Sequence, residues 1–381
     1  MIIDCIIKIT IKRLVVIFRS DHIIFKLKDN APWLYFAYLP DAFRHLNDGT
    51  LMSKHQNMKE TIKMVEVFKQ LGYNVYLQDF RSKKILPKHI NPSVVIGLEP
   101  NFNRACEKWS NAKKIYFATG AYWEHANKQI ITMTDYLNQT YGGKMSYRRM
   151  TKPHQASQMA DYILQIGSSY TVQTYPKDCQ PKITCIDQSS TAISYEKHYV
   201  PGNHFFFMAS GGNVLKGASL LIEYFRDHPE LTLHWVGPIE DDFFEAMKSQ
   251  MTPNILTYGF LNVNSDKMKE VVSKCNFILY PSGTEGGCPG AVINSMKMGL
   301  IPIVTPWAAF DGIEDVGFIM EDWTIKSIQK GIEWALSKTM YEIEDQSLRC
   351  QQIVSEKFSL ERFGTQLYDY MLKIKENHSL L

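Results

Sequence analysis

The sequence predicts an α/β protein built from two doubly wound, Rossmann-like domains that face each other across a cleft. Apolar strands alternate with amphipathic helices from about residue 32, a pattern typical of parallel sheets covered on both faces. The alternation breaks over residues 175–203 and then begins again. The length of 381 residues also exceeds what one hydrophobic core usually serves.

The first domain is predicted to begin with a βαβ unit. A strand at 33–40 is followed by a polar loop, a helix at 57–70 and a second strand at 74–78. Gly72 provides the stop signal of the helix. The apolar positions of that helix are Ile62, Val65, Val67 and Phe68. The alternation continues with a helix-prone span near 126–141 and with strands at 93–98, 114–119 and 162–167.

The second domain repeats the pattern from His204 onward. The stretch HFFFMASGGNVLKGASLLIEYFRDHPELTLHWVGP contains a strand, a glycine loop, a Leu-rich helix and another strand. The strands NILTYGF and NFILYPS follow, with the helix NSDKMKEVVSKC between them. The predicted boundaries are an extension at 1–31, domains at 32–200 and 201–355, and a last helix within 356–381. Ligands of such sheets bind at the carboxyl ends of the strands, so the site is expected in the cleft between the domains.

The first 30 residues are apolar but carry six basic and three acidic side chains. No run approaches the roughly 18 apolar residues that span a bilayer, and the pattern of a secretory signal is missing. Two interpretations stay open. The segment can lie on a membrane surface, or it can form an extra strand or hairpin, which its β-branched residues favour.

Charge is distributed unevenly along the chain. Residues 1–200 carry 27 Lys and Arg against 16 Asp and Glu, a net +11, and residues 201–381 carry 15 against 23, a net −8. A basic first half suits a phosphate-bearing partner or an anionic membrane, but an unevenly charged solvated surface explains it equally. Nucleic acid is not an expected partner, because basic and aromatic residues are not interleaved in clusters. Seven cysteines without a C-x-x-C pair indicate a reducing, cytoplasmic location and no zinc site.

The stretch YPSGTEGGCPGAVINSMKMGLIPIVTP, residues 280–306, is the strongest candidate site. Pro289 is expected to be the first residue of a helix that ends at Gly299. The positive end of the helix dipole would then form an anion site suited to a diphosphate, with the free N–H groups of Gly290, Ala291 and Val292. Small residues are expected to let the ligand approach the backbone or to donate from hydroxyls: Gly283, Gly286, Gly287, Ser282 and Thr284. An ordinary strand-to-helix turn is the alternative.

Two charged residues stand out near these loops. Glu285 beside an anion site would repel a phosphate, so we expect it to accept hydrogen bonds from sugar hydroxyls and to favour a cationic sugar in the transition state. Lys216 follows the glycine pair Gly211 and Gly212 and could supply a point charge to the diphosphate. Turns in which two glycines join a strand to a helix, as Gly211 and Gly212 do, also occur in many α/β proteins without a ligand.

These residues resemble the retaining family-4 glycosyltransferases of the GT-B fold, in a subgroup found among bacterial polysaccharide-assembly enzymes. Glu285 matches the first acid of the family motif, and Asn294 takes the place of the second acid, which meets the ribose. Lys216 matches a phosphate-binding Lys, whereas Gly211 stands where the family has an Arg. The resemblance places Phe260 and Leu261 beside the nucleobase.

Further residues follow from the resemblance. His125 is the nearest candidate for the family's histidine beside the donor sugar, and His55 is a weaker one; each could also be an ordinary helix residue. The family's last helix crosses back to the first domain, as KFSLERFGTQLYDYMLKI would here. The first domain would then bind the acceptor and the second the donor.

The implied activity is transfer of a hexose from a nucleotide diphosphate sugar, UDP- or GDP-linked, to a hydroxyl of a glycan or lipid-linked acceptor, with retention. No cofactor or metal is expected, because the chain has no Asp-x-Asp pair and no cluster with ligand spacing. Two alternatives stay open: a nucleotide-sugar epimerase of the same fold, and a non-catalytic protein that binds sugar nucleotides. The location would be the cytoplasm, with the N-terminal segment as a possible contact to the inner membrane face.

Overall fold

The computed structural model describes residues 7–11, 14–18, 21–46, 56–200 and 202–376. Within these ranges the strands form two sheets. The first sheet contains β1 Ile7–Ile11, β2 Leu14–Phe18, β3 His22–Lys26, β4 Trp33–Tyr38, β5 Asn74–Asp79, β6 Pro92–Gly97, β7 Lys113–Ala118, β8 Tyr162–Ile166 and β9 Ile183–Ile186. The second sheet contains β10 His204–Met208, β11 Thr232–Val236, β12 Ile255–Thr257, β13 Phe277–Tyr280, β14 Ile301–Val304 and β15 Phe318–Ile319.

Helices cover both sheets. The first part of the chain has α1 Asp41–Arg44, α2 Gln56–Gln70, α3 Asn101–Lys108, α4 Trp123–Tyr141, α5 Ala156–Met159 and α6 Ser169–Val172. The second part has α7 Ala218–Asp227, α8 Asp241–Met247, α9 Asp266–Val272, α10 Gly290–Lys297, α11 Ile325–Leu336, α12 Met340–Lys357 and α13 Leu360–Glu376. Short 3-10 turns lie at Gln180–Lys182, Lys248–Gln250, Pro306–Ala308 and Ile313–Asp315.

Both sheets are doubly wound. The order of the second sheet is β12-β11-β10-β13-β14-β15, and every pair in it is parallel. The first sheet has the parallel order β5-β4-β6-β7-β8-β9. The chain therefore leaves in opposite directions from β10 and from its neighbour β13, which makes their carboxyl ends the switch point of the second sheet. The predicted fold class is confirmed.

The N-terminal segment extends the first sheet. Strand β2 is antiparallel to its neighbours β1 and β3, and β3 pairs antiparallel with β5 through His22 opposite Gln78 and Phe25 opposite Val75. The structure therefore agrees with the prediction that this segment forms extra strands. Contact of the segment with a membrane surface stays a prediction. Among the helices of the described ranges, none combines the length and apolar character needed to cross a bilayer.

Helix boundaries differ in small ways from the prediction. Helix α4 begins at Trp123, earlier than the predicted 126, and its end is followed by Gly142 in a left-handed conformation. On α2 the buried face is rotated toward Glu60 and Met64, while Ile62 is only half-buried. The buried face is rotated because α2 packs against two elements, the first sheet and α13.

Two segments connect the halves of the molecule. Residues 187–203 lead from β9 to β10, and α13 returns at residue 360 to pack Phe363 and Leu367 into the core of the first sheet. Asp187 joins these crossings, because its carboxylate contacts Lys357 Nζ at 3.1 Å and Arg362 Nε at 3.5 Å. Ser190 Oγ also donates to the carbonyl of Phe358 at 2.8 Å.

Helix α4 lies between the two sheets. It follows β7 of the first sheet, but its Met133 and Leu137 belong to the hydrophobic core of the second sheet, as does Met145 in the segment that follows. Tyr136 and Tyr141 donate hydrogen bonds to Glu223 on α7. The first half of the chain therefore contributes apolar packing to the second half.

Candidate active site

The two loops that the sequence singled out meet at the switch point of the second sheet. One follows β10 and contains Gly211 and Gly212, and the other follows β13 and contains Glu285. The loops are bonded together, since the Gly283 N–H donates to the carbonyl of Leu215 at 2.9 Å. The predicted location at the carboxyl ends of the strands agrees with this arrangement.

Lys216 and Glu285 form an ion pair between these loops. Lys216 is only 8% exposed, so the pair is largely shielded from solvent. Glu285 Oε1 also accepts from Ser282 Oγ at 2.8 Å and from the Tyr280 hydroxyl at 3.5 Å. Burial raises the pKa of Tyr280 well above its usual value, so this hydroxyl stays a donor. All of these contacts use Oε1, and in the described part of the chain Oε2 of Glu285 has no hydrogen-bond partner.

The N-terminus of α10 faces a cavity. Pro289 is the N-cap residue, one position earlier than predicted, and the helix begins at Gly290. The first main-chain N–H in this helix with an acceptor in the described residues is that of Ile293, which donates to Pro289 at 3.1 Å. The N–H groups of Gly290, Ala291 and Val292 are therefore available to an anion. Gly290 and Ala291 line the cavity, whereas the side chain of Val292 is buried in the core.

The cavity has a volume of about 750 Å³. Its walls come from α2, the crossing, the strand ends of the second sheet and the loop after β12: Gln56, Thr191, Met208, Ala209, Ser210, Val236, Gly237, Phe260, Leu261, Asn262, Val263, Asn264, Gly290, Ala291 and Asn294. Phe260 is 65% exposed, a high value for an aromatic ring. Asn294 Oδ1 is buried and has no partner within the described residues.

The glycines of the loop after β13 have neighbours that the sequence did not predict. A Cβ at Gly286 would collide with the carbonyl oxygen of Thr119, and one at Gly287 would lie 2.7 Å from Gly167 Cα. At Gly283 it would meet Met133 of α4. These glycines allow the loop to pack against the first half of the chain, and the expectation that they also clear space for a ligand stays a prediction.

The glycine pair after β10 also differs from expectation. The N–H groups of Gly212 and Asn213 both donate to the Glu240 carboxylate, at 3.1 Å each. A phosphate at these amides would have to displace a carboxylate, so the structure does not favour Gly211 and Gly212 as direct phosphate donors. Asn213 cannot replace the missing cation, because its side chain is buried and bonded to the main chain of Pro238 and Glu240.

His125 lies on the first turn of α4 and faces the second half of the molecule. Its ring centroid is 5.7 Å from that of Trp307. Burial, and then the charge of Lys128, lower the pKa of His125, so the ring is neutral near pH 7. Its Nε2 is buried without a partner in the described residues, and the same is true of Thr284 Oγ1. His55 lies outside the described residues.

Several cavity residues were missed by reasoning from the sequence. Ser210 and Gly237 lie just after the carboxyl ends of β10 and β11. Because ligands bind at such strand ends, the predicted strands could have indicated both residues. Gln56 and Thr191 come from distant parts of the chain and carry no local signal. No cluster of three or more His, Cys, Asp or Glu side chains with metal-binding geometry occurs among the residues that the structure describes.

Comparison with known proteins decides the class of the molecule. Residues 203–338 match the family model described as Glycosyl transferases group 1. These residues include the cavity walls after β10, both candidate loops and α10. The chain is a glycosyltransferase. A search of curated protein sequences finds no match.

Solved structures show the same fold for this glycosyltransferase. Sucrose-phosphate synthase from Thermosynechococcus elongatus superposes with a TM-score of 0.58 at 10% identity, covering 91% of this chain and 100% of that one. A glycosyltransferase from Rickettsia africae gives 0.54 at 15% identity over 90% and 99%. Anabaena HepE, in complex with UDP and glucose, gives 0.53 at 11% identity over 90% and 100%. The resemblance to GT-B glycosyltransferases is confirmed at the level of the fold and the enzyme class.

Proposed function

We propose that this glycosyltransferase transfers a hexose from a nucleotide diphosphate sugar, UDP- or GDP-linked, to a hydroxyl of a glycan or lipid-linked acceptor. The observation that carries the proposal is the cavity of about 750 Å³ that extends from the exposed ring of Phe260 to the amides of Gly290 and Ala291. It joins an aromatic surface for a base to a helix N-terminus for phosphate. HepE, a structural neighbour, is in complex with UDP and glucose, which supports a donor of this kind.

The chemical groups along the cavity follow the order of a nucleotide sugar. The base packs on Phe260 and Leu261, and the ribose hydroxyls donate to the unpartnered Oδ1 of Asn294. The diphosphate accepts from the first N–H groups of α10. The sugar then lies toward Glu285, whose Oε2 accepts from a sugar hydroxyl while Oε1 stays bonded to Lys216.

Charge at the reacting end is arranged for departure of a diphosphate. The Lys216 ammonium and the helix N-terminus both stabilise the negative charge that develops on the leaving group. The Glu285 carboxylate favours positive charge on the sugar. The neutral ring of His125 is placed beside Trp307 and offers a hydrogen bond to the sugar from Nε2 or accepts one there.

The acceptor is proposed to enter from the first half of the chain. That half carries the positive net charge of +11 over residues 1–200 and is suited to an anionic glycan or to a lipid carrier at the inner face of a membrane. Contacts of the glycine loop with Thr119 and Gly167 shield the reacting end from water that could hydrolyse the donor. Retention of configuration and a role in cell-surface polysaccharide assembly complete the proposal.

A nucleotide screen tests this function. Wild type, Lys216→Ala and the control Lys330→Ala are heated with UDP, GDP and ADP; Lys330 is paired with Glu321 at the surface. A nucleotide at about 100 times its Kd should raise the wild-type Tm by about 3 °C. The shift should shrink in Lys216→Ala and persist in Lys330→Ala. No shift with any nucleotide would contradict the proposal.

Turnover separates the alternatives. The sugar form of the nucleotide that binds is incubated with and without candidate acceptors, and the products are identified by chromatography and NMR. Transfer, or slow hydrolysis to free sugar with an unchanged anomer, supports the transferase. Conversion of the donor into its epimer indicates an epimerase, and binding without any turnover indicates a non-catalytic protein.

A further inference from the structure

An arginine from another part of the chain lies at the position where the donor loop lacks one. The Arg149 guanidinium covers the backbone of the Gly211–Gly212 pair: a Cβ at Gly212 would lie 3.2 Å from Arg149 Nε, and one at Gly211 would lie 3.6 Å from Nη2. Arg149 belongs to the segment that follows α4. The absence of a side chain at Gly212 leaves room for the guanidinium, whereas a Cβ at Gly211 would be in ordinary van der Waals contact with it.

The neighbouring acidic group does not require Arg149. Glu240 is already held by the N–H groups of Gly212 and Asn213 and by Arg148 Nη1 at 3.2 Å. Arg148 also contacts Asp242 at 2.8 Å. Within the described ranges Arg149 has neither a hydrogen bond nor an ion pair, and it is exposed. Arg148 therefore holds Glu240, while the five N–H donors of Arg149 are available to a different anion.

Lys216 lies on the short turn that begins at the glycine pair, and the Arg149 side chain contacts this pair. The Lys216 N–H donates to the carbonyl of Gly212 at 3.0 Å, so the backbone of Lys216 lies one turn beyond the glycine that the guanidinium contacts. Lys216 Nζ is 5.8 Å from the Tyr280 ring. Burial and then Glu285 raise the pKa of Tyr280, and the positive charge of Arg149 acts in the opposite direction, so the charge of Arg149 also acts at this side chain.

The backbone of Arg149 is also unusual. Its φ is +64°, in the left-handed region that residues other than glycine rarely adopt. Such conformations persist where the surrounding structure holds them, and they concentrate at ligand sites. The segment is held on both sides, by Met145 in the core of the second sheet and by the main chain of Thr151, which is bonded to Asn127.

We propose that Arg149 binds the diphosphate of the nucleotide sugar together with Lys216 and supplies the cation that Gly211 lacks. A planar guanidinium can take two phosphate oxygens at once, whereas Lys216 acts as a point charge. The proposal rests on the function argued above, and it adds that a residue from the first half of the chain completes the donor site. Donor binding then also stabilises the contact between the α4 segment and the second sheet.

Titration calorimetry on the wild type, on variants of Arg149 and Arg148, and on Lys216→Ala tests this role. Arg149→Gly removes the guanidinium and suits the left-handed backbone, so it is expected to fold; Arg149→Lys keeps a charge without the planar fork. Arg148→Ala is the matched control. Each is titrated with UDP, UMP, GDP and GMP. Arg149→Gly should lower the affinity for the bound diphosphate by about 10- to 100-fold and reduce its preference over the monophosphate.

The outcomes separate the two proposals. Arg149→Lys should lie between wild type and Arg149→Gly, and Arg148→Ala should keep the wild-type preference for diphosphate. If Lys216→Ala loses that preference while Arg149→Gly keeps it, the role of Arg149 is refuted and the donor site stands. An equal loss in Arg148→Ala would also refute it, because the effect would then be general electrostatics. Failure of the wild type to bind any of the four nucleotides would overturn both proposals.

Discussion

The Lys216 ammonium and the Glu285 carboxylate form a shielded ion pair that joins the loops after β10 and β13. The pair neutralises both charges in the free protein and leaves one oxygen of Glu285 directed to no protein group in the described residues. A diphosphate that approaches Lys216 would share its ammonium with Glu285. In the proposed function, the pair would hold these two charges in place before a donor binds.

Glu285→Gln should separate catalysis from donor binding. Loss of the carboxylate charge should lower kcat by about 100-fold or more, because it acts on charge that develops in the transition state. Affinity for the nucleoside diphosphate should not fall, since the Lys216 ammonium no longer has an anionic partner. Transfer assays and calorimetry on the same preparation measure both effects.

Ser282→Ala, which removes one hydrogen bond to Glu285, is the control and should lose much less activity. Equal losses of kcat and affinity in Glu285→Gln would show that the pair is structural.

Gly286→Ala should weaken the contact between the two halves of the chain. Its Cβ would collide with the carbonyl of Thr119, which is backbone and cannot move aside easily. We expect a loss of about 1 to 3 kcal/mol in the free energy of unfolding, measured by urea denaturation. Gly120→Ala is a matched control, because a Cβ there meets nothing within 4 Å. A Gly286→Ala variant as stable as wild type would show that the loop does not depend on this contact.

Asn294→Ala should remove discrimination at the ribose. The buried Oδ1 of Asn294 lines the cavity and lacks a protein donor in the described ranges, so a ribose hydroxyl is its expected partner. The wild type should bind a nucleoside diphosphate about tenfold more tightly than its 2′,3′-dideoxy analogue. The variant should bind the two with similar affinity in calorimetry. Retained discrimination in the variant would place the ribose elsewhere.

Glu60→Gln should change how stability depends on pH. Burial raises the pKa of Glu60 from 4.5 to about 7, against hydrogen bonds from the N–H and hydroxyl of Ser189 and from Gln56. Between these pH values the folded state keeps a proton that the unfolded state has lost, so wild-type stability falls as pH rises from about 4.5 to about 7.

The amide that Glu60→Gln introduces cannot ionise and can still accept from Ser189. The variant should therefore gain stability relative to wild type between pH 5 and pH 8, by about 3 kcal/mol at most. Urea denaturation of both proteins at pH 5, 6, 7 and 8 measures the difference. A difference that does not change with pH would show that Glu60 ionises at its ordinary value in the folded protein.

The fold and several site residues could be predicted because their signals are local. Strand and helix periods identified both sheets, and the strand–loop–helix around Glu285 indicated the amides of Gly290 and Ala291. The sequence assigned Lys216 and Glu285 separate tasks, because their contact joins positions 69 residues apart and depends on the order of strands in the sheet.

The errors arose where a residue contacts a distant part of the chain. A glycine in a loop signals only that something approaches the backbone closely, and the approaching group proved to be Thr119 for Gly286. The same holds for Gly212, where the neighbours are Glu240 and Arg149. No local pattern marks Arg149, because its position beside Gly212 depends on the return of the segment after α4 to the second sheet.

The contacts of Asp187 determine how the two halves can move. The chain crosses between them twice, and Asp187 bonds the first crossing to Lys357 and Arg362 at the second. Because these ion pairs keep the two crossings together, we expect the halves to move relative to each other mainly by rotation near Asp187. Because Met145 lies in the core of the second sheet and Arg148 is paired with Glu240, we expect Arg148 and Arg149 to stay beside Gly212 when the cleft opens.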